Sequence, residues 1–256
     1  MYRPRVIVSL LLQDNTLVKG INFDDYRYIG DPLNACKIFS KKEVDELIFL
    51  DIDATKKGLC VSKDLIEDIA DECFVPFAVG GGITNLSQIK ELLYSGAEKV
   101  VLNSSIYNNP NLLSEASSIF GRQAIVVSIN VIKSSSGYYK LCDNSKNNLS
   151  QNVFDWVKMV ERKGAGEILI NSVHSDGKME GYDIELISKL SSLVNIPVIA
   201  LGGAGSLEDM SLAIKKGGAN AVAAGSFFVF QSSLRGVLIN TPSKGMMRNF
   251  YRSLSE

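Results

Sequence analysis

Two sets of residues in this chain have the types and spacing to hold an anion. The first is Gly82 in "VGGGI" with Asn103 and Ser104 in "VLNSS"; the second is Gly203 in "LGGAG" with Gly225 and Ser226 in "AAGSF". Glycine lets backbone N–H groups approach an oxyanion closely, and a helix starting just after such a turn adds free donors and a favourable dipole. Gly177, in "SDGKMEGYD", is expected beside the second set. A single glycine turn reads as no more than a tight turn. Two sets, each joining a glycine turn to a serine turn, point to phosphate binding. A further group is charged: Arg5, Glu46, Lys99 and Glu167 each open a short apolar run. Two cations and two anions at equivalent points can pair into a ring, which serves either stability or as a gate.

These groups need a scaffold that brings distant segments to common levels. Short β-rich runs supply one: "RVIVSLLL", "ELIFLDI", "PFAVG", "KVVLN", "AIVVSIN", "EILINSV", "PVIALG" and "AVAAG". Several are apolar almost throughout, as parallel strands covered on both faces are. Amphipathic segments such as "DLIEDIADEC", "NLSQIKELLYSG", "NVFDWVKMVERKG" and "LEDMSLAIKKGG" lie between them, and several end at Gly. Eight such units predict an α/β fold of the (β/α)8 TIM-barrel type; an open doubly wound sheet is the alternative. An internal repeat favours the barrel. "VPFAVGGGITNLSQIKELLYSGAEKVVLNSSI" is similar to "IPVIALGGAGSLEDMSLAIKKGGANAVAAGSFF", and Glu46 corresponds to Glu167. Two repeated (β/α)4 halves, about 1–121 and 122–256, are therefore expected within one domain spanning 1–256. Loops after barrel strands form the functional face. The two anion cradles then stand on opposite sides of the mouth, and the four charged residues stand at the bottom.

"SLLLQDNTLVKG" reads as a buried strand running into a polar loop that carries Lys19. Leu11 stands at the strand end, where a catalytic group belongs. "KSSSGYYKLCDNSKNNLSQ" is expected to be a mobile βα loop with a small hairpin. His174 is expected in a loop, Trp156 in helix packing against the barrel, and "TPSKGMMRNFYRSL" in a final amphipathic helix. A net charge of −1 gives no electrostatic case for nucleic-acid binding. No apolar run reaches the ~18 residues of a membrane span. The start "MYRPRVIVSLLLQD" fits a first core strand better than a signal peptide. The four cysteines have no metal-ligand spacing, and His174 is the only histidine, so no metal site and no cofactor are expected. Reduced thiols fit a cytoplasmic location.

"VKGINF", "GDP", "DELIFLDI", "VGGGI", "EKVVLNSS", "GAGEILINS", "DGKMEGYD" and "VIALGGAGSLED" occur in an order and spacing that resemble the cyclase subunit of imidazole glycerol phosphate synthase, over nearly the whole chain. The resemblance implies a long phosphorylated ligand bound across the mouth. It also implies a glutaminase subunit on the bottom face and ammonia passing up the barrel axis. Arg5, Glu46, Lys99 and Glu167 match the charged ring that gates ammonia in that family. Lys19, Asp51 and Asp176 match polar positions of its active site. The family's two catalytic carboxylates fall at Leu11 and Asn130. Leucine has no proton to exchange and an asparagine amide does not titrate usefully, so both positions are expected to be inactive in the cyclase reaction. In this the chain resembles divergent second copies of the subunit, the "SLLLQD" branch, associated with surface-polysaccharide synthesis. That branch implies a glutaminase-like partner and a sugar amidotransferase, converting an acetamido sugar to an acetamidino sugar. A true cyclase with altered catalytic groups and a non-catalytic phosphate-binding module are the competing readings.

Overall fold

The computed structural model describes residues 3–42, 44–231 and 234–255, so the ends of the expected 1–256 domain lie outside the described residues. Eight parallel strands close into a barrel: β1 Arg5–Gln13, β2 Glu46–Asp51, β3 Phe77–Gly80, β4 Lys99–Leu102, β5 Ile125–Lys133, β6 Glu167–Ser172, β7 Val198–Leu201 and β8 Ala221–Ala224. Each pairs with the next, and β8 closes on β1 with Arg5 opposite Ala221. Helices alternate with the strands. This is the (β/α)8 barrel.

The continuous apolar runs follow from burial on both faces. Ile7, Ile48, Val101, Val126, Leu169 and Ile199 meet on the barrel axis, with Ala78, Ala221 and Ala223 between them. Alternate residues such as Val6, Val8, Leu47, Phe49, Val127 and Ile168 pack outward under the helices. The period of two then sets the height of every inward side chain. Along β1 the inward series is Arg5, Ile7, Ser9, Leu11, and along β6 it is Glu167, Leu169, Asn171. A charged level, an apolar level and a polar level therefore succeed one another from bottom to mouth.

The two halves repeat in local detail. Asn85 caps helix Leu86–Tyr94 by accepting from the Gln88 N–H, and Ser206 caps helix Leu207–Lys215 by accepting from the Asp209 N–H. The caps share extended backbones, φ −150° and ψ 167° against φ −152° and ψ 166°. Each is worth about 1 kcal/mol. Trp156 is buried and stacks on Tyr107, with ring centroids 4.6 Å apart, in the packing role expected of it. "TPSKGMMRNFYRSL" supplies helix Lys244–Ser253, which buries Phe250.

One expectation is corrected. The segment after Leu11 is no loop but a strand, Thr16–Ile21, antiparallel to β1 with Leu11 opposite Val18. Asp14 and Asn15 both take positive φ, 48° and 57°. That is the two-residue turn whose twist suits a hairpin, and Asp and Asn are among the residues that tolerate it. A second strand, Asp24–Gly30, pairs with Thr16–Ile21. Helix Pro32–Lys41 follows, capped by the Asp31 side chain. The long polar stretch forms the expected small hairpin: Tyr139–Leu141 lies antiparallel to the end of β5.

Candidate functional site

At the bottom of the barrel four strand starts bring their charges together. The Arg5 guanidinium donates to Glu46 through Nη1 and to Glu167 Oε1 through Nη2, the latter at 2.8 Å. Lys99 Nζ lies 2.9 Å from Glu46 Oε1 and 3.4 Å from Glu167 Oε2. Each charge thus touches two of opposite sign, and signs alternate around the ring. Glu46 is 2% exposed. Burial works against the Arg5 charge, but Glu167 and Glu46 outweigh it and hold the guanidinium charged above its ordinary range. Directly above lies the apolar level of Ile7, Val101 and Leu169. An ion meets a desolvation cost there that a small neutral molecule does not.

At the mouth a cavity is lined by Leu11, Lys19, Asp51, Gly82, Asn103, Ser104, Asn130 and Asp176, among others. All of these are site residues expected from the sequence, and the fold brings them to one place. Leu11 presents only hydrocarbon. The Asn130 Nδ2 donates to Asn144 Oδ1 at 2.8 Å, a contact made by the polar stretch folding back over the mouth. Lys19 is 4% exposed, and its Nζ lies 3.6 Å from Asp176 Oδ1. This pair lines the same cavity as Leu11 and Asn130. Asp51 is partly committed: its Oδ1 accepts the backbone N–H groups of Asp53 and Ala54, at 3.0 and 2.9 Å.

The first cradle is built by close backbone approach. Gly82 has φ +62°, and a Cβ there would fall 1.8 Å from the Leu59 carbonyl oxygen. Asn103 donates to the Ser128 carbonyl at 2.8 Å and accepts from Ser104 Oγ at 3.3 Å, so its amide orients the serine. The second cradle surrounds a smaller cavity lined by Gly177, Gly203, Gly225 and Ser226, which shares Lys19 and Asp176 with the mouth. Gly203 has φ +116°, and a Cβ would meet the Gly181 carbonyl at 2.0 Å. A Cβ on Gly225 would stand 2.9 Å from Lys19 Nζ, which puts the ammonium at this cradle. The Ser226 Oγ is buried without a hydrogen-bond partner among the described residues. A buried hydroxyl in that condition suits an anionic acceptor.

Sequence reasoning missed Phe23, Tyr26 and Asn144, which also line the mouth. Phe23 and Tyr26 arrive on the hairpin, whose Asn22 N–H donates to the Asp176 carbonyl at 3.0 Å. The Asp14-Asn15 pair between "SLLLQ" and "TLVKGI" was the available signal for it. His174 is exposed in its loop, as expected. Among the described residues no helix is long and apolar enough to cross a membrane.

A family model described as "Histidine biosynthesis protein" matches residues 5–234. A protein of Leptospira borgpetersenii, provisionally named imidazole glycerol phosphate synthase subunit HisF, is 46% identical over 95% of this chain and 96% of its own length. A Pseudomonas aeruginosa protein provisionally named as subunit hisF2 is 41% identical over 94% of this chain and 97% of its own. The imidazole glycerol phosphate synthase subunit HisF of Natranaerobius thermophilus is 39% identical over 90% of this chain and 92% of its own.

Proposed function

Because the chain belongs to the histidine biosynthesis protein family and is HisF-like along its length, we propose that it is the ammonia-receiving subunit of a glutamine-dependent amidotransferase complex that has lost the cyclase reaction. The observation that carries this is the contrast between the two ends of the barrel. The alternating ring of Arg5, Glu46, Lys99 and Glu167 is complete, with every charge paired twice. At the mouth, Leu11 and Asn130 stand where the cyclase family has its two carboxylates, and neither moves a proton. In this reading a glutaminase subunit docks on the bottom face. Ammonia crosses the ring as a neutral molecule, and the apolar level above refuses ammonium. The two glycine cradles hold a phosphorylated ligand across the mouth, with Lys19 serving the second of them. The acceptor chemistry belongs to a further partner, a sugar amidotransferase of surface-polysaccharide synthesis that turns an acetamido sugar into an acetamidino sugar.

The test is a purified glutaminase-like partner assayed alone and with this chain. The expected result is a stable complex with raised glutamine hydrolysis; no complex, or no rise, overturns the reading. A second reading, a true cyclase with altered catalytic groups, draws on the buried Lys19–Asp176 pair at the mouth. It requires turnover of the cyclase substrate with ammonium salt alone, and rescue of a strain that lacks its own cyclase.

A further inference from the structure

Beside the second cradle the structure gathers positive charge that the reading above does not use. Arg27 lies on the hairpin strand Asp24–Gly30, in register with Lys19 on the neighbouring strand. Directly opposed residues of an antiparallel pair project on the same face. The guanidinium carbon of Arg27 sits 4.2 Å from the centroid of the Phe230 ring, and that of Arg235 sits 4.9 Å from the same centroid. Arg27 Nη2 donates to the Arg235 carbonyl, and Arg235 Nη2 donates to the carbonyl of Gly177, itself a wall of the cradle. Three segments distant in sequence therefore converge on one ring and one glycine.

Neither guanidinium forms an ion pair among the described residues. The carboxylate that acts on Arg235 is Asp176, and Asp176 already pairs with Lys19 at 3.6 Å. Asp24, on the same hairpin strand as Arg27, pairs with Lys146 instead. Lys19, Arg27 and Arg235 against Asp176 leave three positive charges and one negative, a local excess of two. Burial and the neighbouring Arg27 both press against the Arg235 charge. The Arg235 Nε is buried with no hydrogen-bond partner among the described residues. Two like charges held over one ring, each a planar fork with most of its donors unspent, are matched by an anion with several oxygens.

We infer that Arg27 and Arg235 extend the Gly177–Gly203–Ser226 cradle into a subsite for a second anionic group, so that the ligand at this end of the mouth is a diphosphate rather than a single phosphate. The inference rests on the phosphate-binding reading of that cradle. One phosphate occupies the glycine cradle beside Lys19. The next along the diphosphate meets the two guanidiniums, with Phe230 fixing their planes.

The experiment is calorimetric titration of the full chain with inorganic phosphate and with inorganic pyrophosphate, in the absence of divalent metal. The wild-type chain is expected to bind pyrophosphate at least about tenfold more tightly than phosphate, given charge-assisted contacts to two arginines. Arg27→Gln combined with Arg235→Gln is expected to abolish that preference, so that the variant binds the two anions with affinities within about twofold of each other. Equal affinity for the two anions in the wild-type chain, or a preference that survives in the double variant, overturns the assignment. Failure of the cradle reading shows differently: Gly203→Val, whose Cβ has no room, would leave phosphate binding intact. Circular dichroism and the thermal midpoint of each variant establish that the comparison is between folded proteins.

Discussion

Introducing Leu11→Asp and Asn130→Asp together is expected to raise ammonium-dependent formation of imidazole glycerol phosphate by at least about 10²-fold over the unaltered chain. Both positions line the same cavity as Lys19 and Asp176. The mouth can accept the changes. Asn130 meets Asn144 through one hydrogen bond, and turning the Asn144 amide lets it donate to a carboxylate instead. Position 11 is 8% exposed and lies opposite Val18 and Leu50 in the neighbouring strands. A carboxyl there is desolvated, and its pKa rises toward the range where a general acid is useful. Each single variant is expected to stay near background, since an acid and a base that serve one reaction act as a unit. Turnover with ammonium salt, followed by product formation, measures all three variants. A double variant no better than the singles would contradict the assignment of Leu11 and Asn130 as the positions that limit the cyclase reaction.

Glu46→Ala is expected to lower stability by about 3–5 kcal/mol, read as a fall in the denaturant midpoint. Glu46 is almost fully buried and accepts from both Arg5 and Lys99. Without it, both cations lean on Glu167 alone, at a level capped by the apolar residues of the axis. Two cations sharing one carboxylate leave an uncompensated positive charge in a partly buried ring, so the loss exceeds that of an ordinary surface ion pair. Truncating Phe74, which is 84% exposed, serves as the control and is expected to change stability by less than about 0.5 kcal/mol. A small effect at Glu46 would show that the ring contributes little to folding.

The barrel was legible because parallel strands covered on both faces write themselves as apolar runs, as "LIFL" in "ELIFLDI" and "AIVV" in "AIVVSIN" do. The ring was legible for a related reason. Arg5, Glu46, Lys99 and Glu167 each occupy the first position of a strand, and the strand starts of a barrel share its bottom face. The cradles showed through the internal repeat. The hairpin over the mouth did not show, because its second strand exposes Asp24, Asp25, Arg27 and Tyr28 and reads as solvent-facing loop. Its order comes from pairing with the extension of β1 beyond the barrel, a tertiary contact. Phe23 and Tyr26 went unseen with it. Asn144 was hidden in a polar stretch whose path is set by the antiparallel bonds of Tyr139–Leu141 to β5. The partial commitment of Asp51 to a turn was equally invisible, since sequence names a carboxylate but not the N–H groups it accepts.

In the function proposed here, ammonia handling is kept while ring closure is lost. One reaction tests it: the complex of this chain with the proposed glutaminase partner, supplied with glutamine and the cyclase substrate, with glutamate and imidazole glycerol phosphate counted together. The expected result is glutamate release above that of the glutaminase alone, with no imidazole glycerol phosphate above the no-enzyme control. Formation of the two products one for one would contradict it.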